Sequence, residues 1–252
     1  VDVVDTYHGV SVEDPYRWLE DDQSMQTNRW VKAQNRITEK FLRKIPFRKK
    51  IKNRLTELND YEKWGTPFQE GNKFYFYKND GLQNQWVLYR QDNLNTEPEI
   101  VLNPNTFSED GTVALRGTYF SNDSRYLGYG VSSSGSDWKE FYVLDLNTHQ
   151  LLNDHIQWIK FSGMAWTENG FYYSTFPKPD EGDELSGTNE NSKVFYHELG
   201  TDQNTDILIF ADPENPRHSP YVSTTDDNQF LILYQTKGTH GNTVAIQDLN
   251  NP

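Results

Sequence analysis

The sequence predicts a mainly β fold: an incomplete β-propeller preceded by helices. Three observations carry this reading. Paired strand-like runs recur at a long, regular spacing, residues 14–60 carry apolar side chains at helical spacing, and aromatics make up 14 % of the 252 residues. Each buried ring removes a large apolar area from water, which a chain with mean hydropathy of -0.87 needs in order to fold.

Taken in order, the first predicted elements are helical. Asp14-Pro15 offers an N-cap followed by proline at the first helical position, and Ser24 offers a second start. Trp30, Gln34, Ile37, Phe41 and Ile45 then step by 4, 3, 4 and 4, one face of a helix. Pro46 ends or breaks that helix, and Ile51, Leu55 and Leu58 continue the stripe. Something must cover this apolar face.

After Trp64 the period changes. The runs 86–92, 141–146, 194–199 and 244–249 align on Gln91, Asp145, Glu198 and Asp248, at spacings of 54, 53 and 50. A second set, 73–79, 125–131, 170–176 and 229–235, precedes them one by one. Two strand signals in each of about four repeats predict propeller blades. A β-sandwich also gives short strands, but it has no reason to repeat at this length. The expected domains are a helical segment, 1–64, and an incomplete propeller of about four blades, 65–252. The last repeat ends at "DLNNP", so the chain reads as cut between blades.

Net charge of -13 points away from nucleic acid, because duplex binding needs Lys and Arg against phosphates. The stretch 43–54 is locally basic and reads as one cationic helix face. With no cysteine, disulfides and thiolate chemistry are excluded within these residues, which fits a reducing compartment. No run of ~18 apolar residues predicts a membrane span.

The sequence offers little chemistry of its own. No G-x-S-x-G nucleophile elbow occurs, and "GVSSSGS" (130–136) reads as a flexible turn. His8, His149, His155, His197, His218 and His240 make no metal-ligand spacing and read as scattered surface histidines. The acidic stretch 179–192 lacks the EF-hand order and reads as a solvated loop. Neither a metal nor a cofactor is expected. A glycosidase would need two carboxylates at a set separation, which sequence alone does not display.

A resemblance adds what the residues alone withhold. "DTYHGVSVEDPYRWLED" (5–21), "VKAQNRIT" (31–38), "NDGLQNQWVLY" (79–89), "EDGTVALRG" (109–117), "SGSDW" (134–138), "KFSGMAW" (160–166) and "LGTDQNTDIL" (199–208) resemble the prolyl oligopeptidase family in one continuous order. The resemblance implies a seven-bladed propeller inserted into an α/β-hydrolase domain. The N-terminal helices would belong to that second domain and pack against its remainder. It implies a serine peptidase cleaving short peptides after proline, with a Ser-Asp-His triad beyond Pro252, so no catalytic residue is assigned here. The propeller would gate access to the active site and exclude folded proteins.

The complete protein is expected to be a monomer, cytoplasmic or periplasmic, with no membrane or nucleic-acid partner. Phe161 matches an aromatic that receives the substrate residue two before proline. Ser219 and Thr239 fall where the family's pocket has apolar contacts, and here both are polar. The stretch 177–192 matches a mobile family loop near the domain interface. The rival reading is a stand-alone propeller module that binds peptides or proteins without catalysis. Its exposed blade edges would leave backbone groups unpaired, which weighs against it.

Overall fold

A computed structural model describes residues 3–185, 187–239 and 241–251. The chain divides into two compact units. One holds the residues up to Asp60 together with Pro179–Gly187, and the other holds the rest.

The first unit opens on a hairpin that no sequence signal announced. Strands β1 (Val3–Tyr7) and β2 (Val10–Asp14) pair antiparallel. The two-residue turn His8-Gly9 takes φ of 51° and 84°, the left-handed pair that matches strand twist. Asp14 ends β2 rather than starting an α-helix. Its carboxylate accepts from the Tyr16 amide at 3.1 Å and from Arg17 Nε at 2.8 Å, and only a single 3₁₀ turn, Arg17–Glu20, follows. Arg17 also pairs with Asp5, tying that turn back to the hairpin.

Helix α1 (Met25–Arg43) starts at the predicted Ser24 cap, whose hydroxyl accepts from the Thr27 amide at 3.1 Å. Pro46 lies in the break before α2 (Arg48–Asn59). Trp18 meets Trp30 edge-on at 6.2 Å, while Ile37 and Phe41 stay exposed.

Among the described residues the second unit forms four antiparallel sheets in sequence, each of neighbouring strands. The first contains β3 (Lys63–Trp64), β4 (Phe68–Glu70), β5 (Lys73–Asn79), β6 (Val87–Gln91) and β7 (Glu99–Leu102). The second contains β8 (Val113–Phe120), β9 (Tyr126–Ser133), β10 (Lys139–Asp145) and β11 (Gln150–Ile159). The third contains β12 (Ala165–Trp166), β13 (Gly170–Thr175), β14 (Lys193–Glu198) and β15 (Ile207–Ala211). The fourth contains β16 (Ser219–Thr224), β17 (Phe230–Thr236) and β18 (Asn242–Asp248).

The two sequence-predicted runs of each repeat are the paired strands β5·β6, β9·β10, β13·β14 and β17·β18. Flanking strands escaped prediction because they are short, like β12, or polar and half-exposed, like β11. The "GVSSSGS" stretch is only partly a turn, since β9 runs through Ser133.

Burial explains why the sheets stay together. Tyr75, Leu88 and Leu102 of the first sheet share one core with Leu127 and Tyr129 of the second and with Leu146 just past β10. Phe141, Val143, Ile156 and Ile159 of the second share another with Trp166, Phe171 and Tyr173 of the third. Ala165, Tyr172 and Val194 of the third meet Leu231 of the fourth. Each core is a seam between consecutive sheets, the packing that defines propeller blades. Polar ties reinforce the first seam: Arg90 of β6 donates to the Leu146 carbonyl at 2.5 Å and meets His149 Nε2 at 2.5 Å.

Candidate functional site

The turn from β11 to β12 is the most unusual stretch of backbone in the second unit. It must leave the buried end of β11 at Ile159 and re-enter the core at Met164. Trp158 and Phe161 adopt φ of 62° and 54°, left-handed values that bulky residues rarely take. Such conformations cost about 1–3 kcal/mol each and persist only where the surroundings impose them.

Those surroundings are polar and specific. Lys139 donates to the Ser162 carbonyl at 2.7 Å. The Ser174 amide donates to Ser162 Oγ at 2.8 Å, and Ser162 Oγ in turn donates to the Gly163 carbonyl at 2.9 Å. Thr175 Oγ1 donates to the Trp158 carbonyl at 2.7 Å. Burial, with Arg116 nearby, pushes the Lys139 ammonium below its usual range. Held this way, the turn exposes one large ring: Phe161 is 71 % exposed. Trp138 stands edge-on to Trp158 at 5.6 Å and to Phe176 at 6.3 Å.

An open cleft of about 930 Å³ borders the same sheets. Trp158, Phe176, Lys178, Lys193 and Gln203 are among its walls. Ser219 opens β16 and is partly buried, and Thr239 is exposed in a turn. Phe161, Ser219 and Thr239 are all outside the lining of that cleft. His240 lies outside the described residues.

One cluster was missed entirely by sequence reading. His197, on β14, is fully buried, which corrects its reading as a surface histidine. Its Nδ1 meets Asp206 Oδ1 at 2.7 Å and its Nε2 meets Asp154 Oδ1 at 3.0 Å. Burial opposes its charged form, but bonds to Asp154 and Asp206 outweigh that and raise its pKa to about 9. The imidazolium therefore donates from both nitrogens at neutral pH. Burial works against the Asp154 carboxylate too, yet His197 and the Gly200 amide hold it below its usual range. Tyr173 donates to Asp206 Oδ2 at 2.7 Å, and burial with that bond pushes its phenol far up.

The group resembles part of a catalytic triad, but both ring nitrogens are taken by carboxylates. The imidazole has no free nitrogen to accept a proton from a nucleophile. Asp154 belongs to the second blade and His197 to the third, so the group clamps a seam. Among the described residues no histidine bonds a serine or threonine hydroxyl, and no cluster suits a metal ion.

Comparison with known proteins gives this geometry its context. The family model described as the prolyl oligopeptidase N-terminal β-propeller domain matches residues 1–252. The chain belongs to that family. Among curated prolyl oligopeptidase relatives, the prolyl endopeptidase of Elizabethkingia meningoseptica is 42 % identical over 248 residues, 98 % of this chain and 35 % of its own. That of Elizabethkingia miricola is 41 % identical over 252 residues, 100 % of this chain and 36 % of its own. The chain thus spans about a third of these relatives. A solved prolyl oligopeptidase B from Galerina marginata, bound to a 35mer hydrolysis and macrocyclization substrate, superposes with a TM-score of 0.85 at 28 % identity. The match covers 100 % of this chain and 39 % of that one.

Proposed function

We propose that the chain is the propeller part of a serine peptidase that cleaves short peptides on the carboxyl side of proline. The observation that carries this is the match of the whole chain, at 42 % identity, to one end of a prolyl endopeptidase. In that reading bond chemistry belongs to a Ser-Asp-His triad in an α/β-hydrolase domain. The propeller selects substrates by size and keeps folded proteins from the site. The helical unit, here assigned to residues 1–64, packs against the remainder of the peptidase domain. The exposed stripe of Ile37 and Phe41 supports that role.

Phe161 is assigned to the surface that receives the substrate residue two before the proline. A large ring held out on a left-handed turn supports it. The segment 177–192 is assigned to gating, and the complete enzyme is taken to be a monomer. Among the described residues no helix is long and apolar enough to cross a membrane.

The test is made on the complete protein. A chromogenic peptide with proline before the scissile bond is expected to be hydrolysed, and a serine-directed inhibitor is expected to abolish turnover. No cleavage at all would return the propeller to a binding role, and cleavage with no preference for proline would remove the substrate assignment. Phe161→Ala is expected to cut kcat/KM for peptides with a large apolar residue two before proline by ~10-fold, as for other lost apolar contacts. Peptides with glycine there are expected to change little, and equal loss on both would make Phe161 a structural residue.

A further inference from the structure

Lys160 sits one residue before Phe161 and is only 9 % exposed. A buried ammonium ordinarily finds a carboxylate, because losing its hydration is costly. Among the described residues none lies within ion-pair distance of Lys160. Its Nζ instead donates to Asn189 Oδ1 at 3.2 Å and lies 4.3 Å from the centre of the Trp138 ring. One amide oxygen and one indole face are a lean substitute for a counter-ion.

The placement explains what the lysine accomplishes. Its backbone lies between the two left-handed residues Trp158 and Phe161. Its head joins three parts of the chain: the turn itself, Trp138 ahead of β10, and Asn189 ahead of β14. Asn189 is exposed and lies within the stretch 177–192. A displacement of Asn189 would take away the one hydrogen-bond acceptor that Lys160 Nζ has among the described residues and loosen the turn that presents the ring.

We infer that Lys160 is a positioning residue: it couples the segment at Asn189 to the pose of Phe161, so substrate preference two residues before proline depends on that segment. This rests on the assignment of Phe161 to the substrate-binding surface. Lys160 acts through Phe161 and contacts no substrate itself.

The experiment measures kcat and KM of the complete protein on two peptides that differ only in bearing phenylalanine or glycine two before proline. Lys160→Met is expected to raise KM for the phenylalanine peptide ~5-fold and leave the glycine peptide within ~2-fold. Lys160→Arg, which keeps a charge over the indole, is expected to restore the preference. Adding Lys160→Met to Phe161→Ala is expected to remove no further selectivity. Asn189→Ala, at an exposed position, is expected to give a smaller loss of the same kind and serves as the variant if Lys160→Met does not fold. If Phe161→Ala is selective but the Lys160 and Asn189 variants lower both peptides equally, or neither, the positioning role is overturned alone. If Phe161→Ala is itself unselective, the substrate assignment falls and this inference with it.

Discussion

At the scale of single residues, His197 shows how a charge can serve a seam between sheets. Its pKa rises from 6.5 to about 9 on folding, so its stabilising contribution is complete below 6.5 and is lost as pH climbs through 9. The shift corresponds to about 3 kcal/mol. Asp154 acts in the other direction, because its depressed pKa gives a contribution that is lost as pH falls through the acid range. Denaturant unfolding of the complete protein from pH 6 to 10 is therefore expected to show a loss that His197→Gln abolishes. Parallel curves for the two proteins would remove the clamp from the account. Nothing in the sequence around His197 signalled this, since its partners lie 43 residues before it and 9 after it. The exposure of Phe161 was not legible in the sequence, because an exposed phenylalanine and a core one look alike there.

At the scale of elements, close approach between strands sets the tolerance to substitution. A Cβ built on Gly170, the first residue of β13, would lie 2.0 Å from the His197 carbonyl oxygen. One on Gly128 of β9 would lie 2.3 Å from Met164 Sδ, the end of a flexible side chain. Overpacking costs about 1–3 kcal/mol, and backbone cannot step aside as a thioether can. Gly170→Ala is expected to lower the melting temperature clearly more than Gly128→Ala, and equal losses would show that Met164 is as fixed as the β14 backbone.

The same elements mark what sequence can show. The aromatic pair β13·β14 was plain because both faces pack against neighbouring sheets, which concentrates rings in one run. Strand β11 was not, because "QLLNDHIQWI" alternates buried and exposed positions only along part of its length. Helix α1 was legible from its Ser24 cap and its stripe. The opening hairpin was hidden because His8-Gly9 is a weaker turn signal than Asn-Gly.

At the scale of the whole molecule, the described residues carry seams and surfaces but no nucleophile with a base. The 252-residue chain purified alone is expected to leave proline-containing chromogenic peptides intact, and turnover that survives removal of contaminating peptidases would contradict the assignment of chemistry to another domain. Exposed Phe41 and Ile37 on α1, with Val244 and Ile246 on the edge strand β18, are expected to make that isolated chain self-associate. Concentration-dependent light scattering measures this, and a strict monomer at high concentration would count against it.

The seams also set a timetable on the ribosome. The core around Tyr75, Leu88 and Leu102 stays incomplete until Leu127, Tyr129 and Leu146 are synthesised, and the later seams wait in the same way for the next sheet. At about 5–20 residues per second, each nascent blade stays uncovered for seconds. Translation speed across the stretches that link the blades thus becomes a determinant of yield, and synonymous codons that slow it there would lengthen the time in which chaperones must shield half-built interfaces.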